Sequence, residues 1–518
     1  MSETQLLNHE YLTESIIAIE EGSQILQKNE KNLENSNYQK PQKQNPQIQN
    51  KQQQYLKYRK WVFLFFSSQL MTGIMYQSNN VVLLRNEIKK QYGISDVQYS
   101  LLFTIPAIFP IVLTWVSGII NDKFGVDKCI IFYAFLGVVG LGIFQVGQLN
   151  DSYSMTMVYC VFADLCGKTV NVGQSTITSY WFQQEYLTFA FGVLTLTLRL
   201  TEVISASTIP SLYYINETLT LPLNISIGLC IFSFLCAIVM YIMNQKKVTF
   251  FQKSQLQQKI QQNEQNFLND EQNNHNQGSL QQQQEDIEPS RVPFNIKDLK
   301  NLNLQYWILT IIQTISISLF YCFMYQMQEI NETKFSINSK QTGNLQSLIY
   351  GISMLSPFLG YIIDRKGKRI CILIFGFFTS CLSFFLWGLQ SDCELQEENC
   401  VYNLIFPGVL LGVFLTVISS TIGPSFPYIV EKRYLSTAYG IMFSLTGIGL
   451  SLVPLAISFL SQNYGPNYAI YFLEIYSILG LLFSIFLFFI DKKRGYILHN
   501  QTIHNQIQIV DLRSSILI

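Results

Sequence analysis

Long apolar stretches alternate with short polar segments along most of the chain. Each apolar stretch is about 20 residues long, which is enough for a helix to cross roughly 30 Å of hydrocarbon. Twelve such spans are predicted, at 61–84, 100–120, 129–148, 156–181, 187–209, 224–243, 304–327, 344–363, 370–389, 403–427, 436–459 and 467–490. Because backbone groups must be satisfied within lipid, and alternating ten-residue segments are absent, we predict an all-α membrane protein.

The polar segments divide these spans into two groups of six. They are rich in Gln, Asn and charged residues, and they bury too little apolar surface to fold alone. The predicted layout is a disordered cytoplasmic tail at 1–56, a six-helix half at 57–243, a cytoplasmic linker at 244–302, a second six-helix half at 303–490 and a cytoplasmic tail at 491–518.

The distribution of Lys and Arg predicts the orientation. Segments flanking the spans hold 22 of these residues on one face of the membrane and five on the other. Since cations concentrate on the cytoplasmic side, both termini are predicted to be cytoplasmic. The formal net charge of zero implies no bulk attraction to nucleic acid.

Two features of the predicted outer face fit this orientation. The sequons at Asn216 and Asn331 both lie there, where glycosylation takes place. Cys393 and Cys400 share an outer loop, where either a disulfide or two free thiols are compatible with the sequence.

One loop pattern occurs twice, each time after the second span of a half. The glycines allow a tight turn and close backbone approach, the Asp suits a helix N-terminus, and the basic residues hold the loop in water. The first copy contains Gly118, Asp122, Lys123, Gly125 and Lys128, and the second contains Gly360, Asp364, Arg365, Gly367 and Arg369. Such repetition is how transporter folds are built.

Five charged residues fall inside predicted spans, where charge is costly and marks function by default. One of them, Glu474 of the twelfth span, is expected to be structural, and the other four form two pairs. Asp164 and Lys168 share one face of the fourth span, and Arg199 and Glu202 share one face of the fifth. Lys168 and Arg199 both lie roughly 20 Å from the cytoplasmic end, near the membrane centre. The four charges form either a structural network or a substrate site, in which Arg199 would hold a carboxylate or phosphate and Glu202 would orient it.

Catalysis by an enzyme mechanism is disfavoured. All four histidines lie in polar segments, and the charged residues of the spans include no pairing of a nucleophile with a base. We therefore predict no enzyme activity, no metal and no cofactor.

The repeated loop resembles the signature of the major facilitator superfamily. Two further stretches are similar to its lysosomal dipeptide uniporter branch: 167–182, which contains Lys168 and Gln174 and is followed by Arg199, and 435–450, which contains Tyr439. The resemblance implies two six-helix halves around a central cavity that is open to one side at a time. It also implies a glycosylated lysosomal membrane partner.

The resemblance assigns roles to individual residues. In that branch an arginine of the fifth span holds the peptide carboxylate, and Arg199 takes this position. A glutamate of the fourth span holds the amine, and here Lys168 stands in its place. Asp164, one turn away, is the substitute for that glutamate, unless the substrate is more anionic than a dipeptide. Gln174 and Tyr439 are further candidates for the pocket, although Tyr439 also fits a packing role.

Together these features predict an alternating-access secondary transporter of small carboxylate-bearing solutes, dipeptides first, in a lysosomal-type membrane. A carrier of organic anions or single amino acids is the alternative within transport, and a non-transporting solute sensor is the alternative outside it. Expected partners are the solute and membrane lipid. The sequence leaves a homodimer and a plasma-membrane or other vesicle location open.

Overall fold

The protein is described by a computed structural model that covers residues 46–182, 186–216, 218–272, 302–337, 339–390 and 399–499. Every regular element in these ranges is a helix. Ten segments among them are long and apolar enough to cross a membrane. The two other predicted spans are helical but differ from these ten: the first is interrupted, and the fourth contains charged and polar residues.

The described residues of the first half form eight α-helices. They are α1 (Pro46–Gln69), α2 (Thr72–Leu83), α3 (Arg85–Tyr92), α4 (Asp96–Phe124), α5 (Val126–Leu149), α6 (Tyr153–Phe182), α7 (Leu187–Asn216) and α8 (Thr220–Gln272). The first span is formed by α1 and α2, which are separated at Leu70 and Met71. Ser95 starts α4 with a capping box, because Ser95 and Gln98 each bond the other's backbone N–H.

The described residues of the second half also form eight α-helices, besides the short 3-10 helices Gly423–Ser425 and Lys432–Tyr434. The eight α-helices are α9 (Leu304–Phe335), α10 (Ser339–Ser353), α11 (Ser356–Lys366), α12 (Arg369–Leu389), α13 (Asn399–Thr421), α14 (Phe426–Ile429), α15 (Leu435–Tyr464) and α16 (Pro466–Lys493). The eighth span is formed by α10 and α11, and Pro357 lies in the first turn of α11. A proline is tolerated there because the first helical N–H groups have no partner within the helix.

The structure corrects the predicted edges of the two halves. Helix α8 continues to Gln272, so residues 244–272 of the predicted linker are helical. This stretch contains no Gly or Pro and is rich in Gln and Lys, which are good helix formers. Helix α1 likewise begins at Pro46, inside the predicted tail. Residues 1–45 of that tail and 273–301 of the linker lie outside the described residues.

The chain folds back after α16. The backbone N–H groups of Leu498 and His499 each donate to the carboxylate of Asp491, at 3.0 Å. Asp491 is buried and also accepts from Gln305 of α9 at 3.0 Å. Residues 494–499 are therefore part of the packed structure, although they were predicted to belong to the tail, and residues 500–518 lie outside the described ranges.

Large apolar side chains are exposed along the outward faces of the spans. Ile108 of α4, Leu455 of α15 and Ile475 of α16 are 61%, 67% and 68% exposed. A soluble protein rarely leaves contiguous apolar surface of this kind uncovered, whereas lipid covers it in a membrane. The fold therefore supports the predicted membrane protein.

Candidate functional site

The two halves meet at the end that carries the two signature loops, which are residues 118–128 and 360–369. There α4 packs against α15, and α7 packs against α11. A Cβ on Gly118 would lie 2.6 Å from the backbone oxygen of Ser436, and one on Gly360 would lie 2.6 Å from that of Thr188. Only glycine permits helices to approach this closely. These two contacts seal the signature-loop end.

Each signature aspartate caps a helix of the opposite half. The carboxylate of Asp122 accepts from the backbone N–H groups of Ser436 and Thr437 at 3.2 and 2.7 Å, at the start of α15. The carboxylate of Asp364 accepts from those of Thr188 and Phe189 at 3.1 and 2.9 Å, at the start of α7. The prediction that these aspartates lie at helix N-termini is confirmed, and the caps cross between the halves.

The glycines inside the loops adopt the backbone conformation that the turns require. Gly125 and Gly367 have φ values of 99° and 70°, in the region that favours glycine. Lys123, Lys128 and Arg365 are exposed, as predicted.

Arg369 departs from the prediction that the basic residues hold the loop in water. Its side chain is buried and donates to Asp364 at 3.1 Å and to the hydroxyl of Thr188 at 2.6 Å. The physical reason is the buried carboxylate beside it, which needs a counter-charge. In the first copy the matching residue is Asp127, and Asp122 has no ion pair among the described residues.

A second contact between the halves lies deeper, at Arg199 of α7. The guanidinium is 3% exposed and donates from Nη1 to Glu202 at 2.7 Å and from Nη2 to the hydroxyl of Tyr321 at 2.8 Å. Its central carbon lies 5.5 Å from the ring centre of Tyr321 and 5.1 Å from that of Tyr350. Its Nε is buried and has no hydrogen-bond partner among the described residues. Glu202 orients Arg199 as predicted, and two tyrosines of the other half surround it.

The sequence analysis missed Tyr321 and Tyr350. The chain contains 29 tyrosines, so residue type does not single these two out. Their significance comes from facing Arg199 across the two halves, and the sequence carries no signal for this. Buried tyrosine hydroxyls usually find a polar partner, but this tendency applies to every tyrosine in a span and does not identify these two.

Asp164 and Lys168 do not join Arg199 and Glu202 in one network. Both lie half-buried on α6, and in the described part of the chain neither has a hydrogen bond or an ion pair. The alternative of a four-charge structural network is therefore corrected, because Arg199 is already neutralised by Glu202 one turn away. Asp164 and Glu202 both lie within electrostatic range of Tyr325, so they border the same region.

The exposure of α9 indicates how this region is reached. Tyr325 lies one turn beyond Tyr321, away from the signature loops, and is 71% exposed. Tyr439, on the other side of Arg199, is fully buried and donates to the backbone oxygen of Gly423 at 2.8 Å. The predicted pocket role of Tyr439 is thus corrected, since this residue packs within the sealed end against Phe191 and Phe426.

Two other predicted positions lie apart from the centre. Gln174 is buried and donates to the backbone oxygen of Ser67, which ties α6 to α1 within one half. Asn331 is fully buried, and its amide nitrogen, the atom that would carry a glycan, faces the hydroxyl of Thr342 at 3.4 Å. A glycan on Asn331 does not fit this fold, because the helix of Thr342 occupies the space.

The remaining predicted modification sites cannot be placed. Asn216 is the last residue of α7, and its side chain lies outside the described part of the structure. Cys393 also lies outside, as does the side chain of Cys400. The glycan at Asn216 and the disulfide stay predictions.

Comparison with known proteins identifies a family and several relatives that this chain resembles. The sequence profile of the Major Facilitator Superfamily matches residues 65–329 and 306–497. The chain is 22% identical to the "Lysosomal dipeptide transporter MFSD1" of Danio rerio over 443 residues, covering 83% of this chain and 86% of that protein. It is 20% identical to the protein of the same name from Homo sapiens over 438 residues, with coverage of 82% and 84%.

Two solved structures are similar in fold. The human organic anion transporter MFSD10 (TETRAN) has a TM-score of 0.55 at 11% identity, covering 82% of this chain and 97% of that chain. The transporter FucP in its outward conformation has a TM-score of 0.57 at 12% identity, covering 82% and 98%.

Proposed function

The chain belongs to the major facilitator superfamily, and from this premise we propose that it moves small carboxylate-bearing solutes, dipeptides first, by alternating access. The observation that carries the proposal is Arg199. The Nε of this buried guanidinium has no partner among the described residues and can donate to a ligand. The Nε of the buried Arg369 also has no partner there, but Arg369 lies in the sealed end, whereas Arg199 lies at the depth of the membrane centre. The planar fork of arginine matches a carboxylate, which accepts two parallel hydrogen bonds from it.

The other end of a dipeptide needs an acceptor for its ammonium group. Asp164 offers one, because it is a carboxylate with no hydrogen bond or ion pair among the described residues and borders the region beside Tyr325. Lys168 lies one turn from Asp164 on the same helix face and would disfavour solutes that carry a further positive charge beside this ammonium group. The relatives from Danio rerio and Homo sapiens are named lysosomal dipeptide transporters, which supports the same substrate class and a lysosomal membrane.

The sealed end gives the proposed direction of access. Lys and Arg concentrate near the signature loops, so we assign that end to the cytosol. The structure then corresponds to the state that receives solute from the opposite side. Release to the cytosol requires the caps made by Asp122 and Asp364 to separate, while the halves close above Arg199.

A carrier of organic anions is the second candidate, and Lys168 favours it. This cation lies near the membrane centre and has no hydrogen bond or ion pair among the described residues. With Arg199 it would form a dicationic site for a solute that has no amine.

Ligand-induced thermal stabilisation of the purified protein tests the proposal. A ligand that binds only the folded state stabilises it by about 2.7 kcal/mol at one hundred times its Kd. We expect alanyl-alanine to raise the melting temperature, and we expect its C-terminal amide and its N-acetyl derivative to have little effect. Arg199→Gln should abolish the shift, whereas the exposed Arg494→Gln should retain it.

The same measurement separates the candidates. Stabilisation by succinate without stabilisation by alanyl-alanine would favour the organic-anion carrier. An equal shift with the C-terminal amide, or a full shift in Arg199→Gln, would refute the carboxylate site.

A further inference from the structure

We infer that Tyr321 occupies the place of the substrate carboxylate on Arg199, and that the subsite is the edge of the guanidinium formed by Nε and Nη2. This inference rests on the proposed function. It adds the orientation in which the carboxylate is held and the protein group that it displaces.

The argument begins with the directions of the donors. The N–H bonds of Nε and Nη2 point side by side along one edge of the guanidinium, and a carboxylate lying along that edge accepts from both. In the structure Nη2 donates to the Tyr321 hydroxyl at 2.8 Å, and Nε has no partner. Nη2 therefore has one acceptor, a neutral hydroxyl, and a carboxylate along this edge would replace that hydroxyl and add a bond to Nε.

Glu202 leaves this edge free. It accepts from Nη1 at 2.7 Å, and Nη1 does not contribute to the edge formed by Nε and Nη2. A solute carboxylate can therefore replace Tyr321 while Glu202 stays bound and holds Arg199 in orientation. The incoming carboxylate makes two charge-assisted hydrogen bonds where the hydroxyl makes one, so the exchange satisfies the Nε donor that is otherwise buried alone.

The exchange also affects the contact between the halves. Arg199 lies on α7 of the first half and Tyr321 on α9 of the second, 122 residues apart in the chain. Their hydrogen bond links the halves at the level of the site. A bound carboxylate breaks this link, so solute binding and the change of access state are coupled through Tyr321.

Tyr350 provides a matched control. Its ring lies 5.1 Å from the central carbon of the Arg199 guanidinium, close to the 5.5 Å of Tyr321. Among the described hydrogen bonds, however, Arg199 donates to the hydroxyl of Tyr321 and not to that of Tyr350. Substituting Phe at either position preserves the aromatic ring over the Arg199 guanidinium. Only Tyr321→Phe removes a hydroxyl that accepts a hydrogen bond from Arg199 and so competes with the carboxylate.

The test is calorimetric titration of alanyl-alanine into detergent-solubilised wild type, Tyr321→Phe, Tyr350→Phe and Arg199→Gln, with succinate as a second probe. We expect Tyr321→Phe to bind the carboxylate about fivefold more tightly, which corresponds to losing one competing hydrogen bond. Tyr350→Phe should stay within about twofold of wild type. The affinity for alanyl-alanine amide should not improve in Tyr321→Phe.

The outcomes separate this inference from the proposed function. Unchanged or weaker binding by Tyr321→Phe, with binding still lost in Arg199→Gln, would overturn only the role of Tyr321. Undiminished binding by Arg199→Gln, or no binding of either probe by wild type, would overturn the carboxylate site and this inference together. If Tyr321→Phe does not fold, Tyr321→Leu is compared with Tyr350→Leu, because both lose a ring over the cation and only the first loses the hydroxyl bonded to Arg199. Binding by Tyr321→Leu no tighter than binding by Tyr350→Leu would refute the inference.

Discussion

At the scale of single residues, two aspartates in matching loops make the same cap in different electrostatic settings. Asp364 lies beside the buried Arg369, which bonds it at 3.1 Å. Asp122 has backbone and hydroxyl donors but no ion pair among the described residues. The two signature loops therefore share a sequence pattern, but in the described part of the chain the cap made by Asp364 is supported by an ion pair and the cap made by Asp122 is not.

This difference predicts unequal effects of the same substitution. Asp364→Asn leaves Arg369 buried without its counter-charge, and we expect a loss of about 3–5 kcal/mol in the free energy of unfolding. Asp122→Asn removes a charged cap only, and we expect a loss of about 1 kcal/mol. Thermal melts of the two purified variants measure the difference, with Asp127→Asn as a control outside the caps. Equal losses would show that Arg369 does not depend on Asp364.

The sequence predicted the central residues only in part. Charge inside a span singled out Arg199, Glu202, Asp164 and Lys168, because such charges are rare and costly there. It did not single out Tyr321, whose role depends on a residue 122 positions away in the other half. Gln174 was chosen from a family pattern, and its bond to Ser67 shows instead a contact between two helices of one half.

At the scale of helices, the seal depends on two crossings with glycine at the point of contact. Gly118 lets α4 meet α15, and Gly360 lets α11 meet α7. A methyl group at either position would lie 2.6 Å from a backbone oxygen, which cannot move as a flexible side chain would. If either glycine is replaced, the two helices can no longer approach this closely.

We predict that Gly360→Ala shifts the protein away from the sealed state. The control is Gly351→Ala in the same span, where an added Cβ meets nothing within 4 Å. Spin labels at the exposed Lys123 and Lys366, one on each signature loop, report the separation by pulsed electron resonance. The distance distribution should gain a longer component in Gly360→Ala and match wild type in Gly351→Ala. Identical distributions in all three proteins would show that this crossing does not hold the seal.

Helices were predictable where length and apolar composition agreed, as in α12 and α16. The extension of α8 to Gln272 was missed because a Gln-rich segment looks structureless by composition, although its residues favour a helix. The break between α1 and α2 was missed as well, since the apolar run continues through Leu70 and Met71. Composition predicts where a helix enters lipid better than it predicts where the helix is interrupted.

At the scale of the whole molecule, two sets of contacts join the halves at different depths. The caps of Asp122 and Asp364 close the signature-loop end, and the bond between Arg199 and Tyr321 joins the halves at the site. If a solute replaces Tyr321 as we propose, it weakens the deeper contact first. Sequence alone could not give this arrangement, because each contact pairs residues that are more than one hundred positions apart.

The most direct test of a carboxylate transporter is counterflow in proteoliposomes. Vesicles loaded with unlabelled alanyl-alanine should transiently accumulate labelled alanyl-alanine from outside when they contain wild-type protein. Vesicles with Arg199→Gln should show no accumulation above empty vesicles, and those with the exposed Arg494→Gln should behave as wild type. Binding of alanyl-alanine without any counterflow in wild type would contradict transport and identify a solute sensor instead.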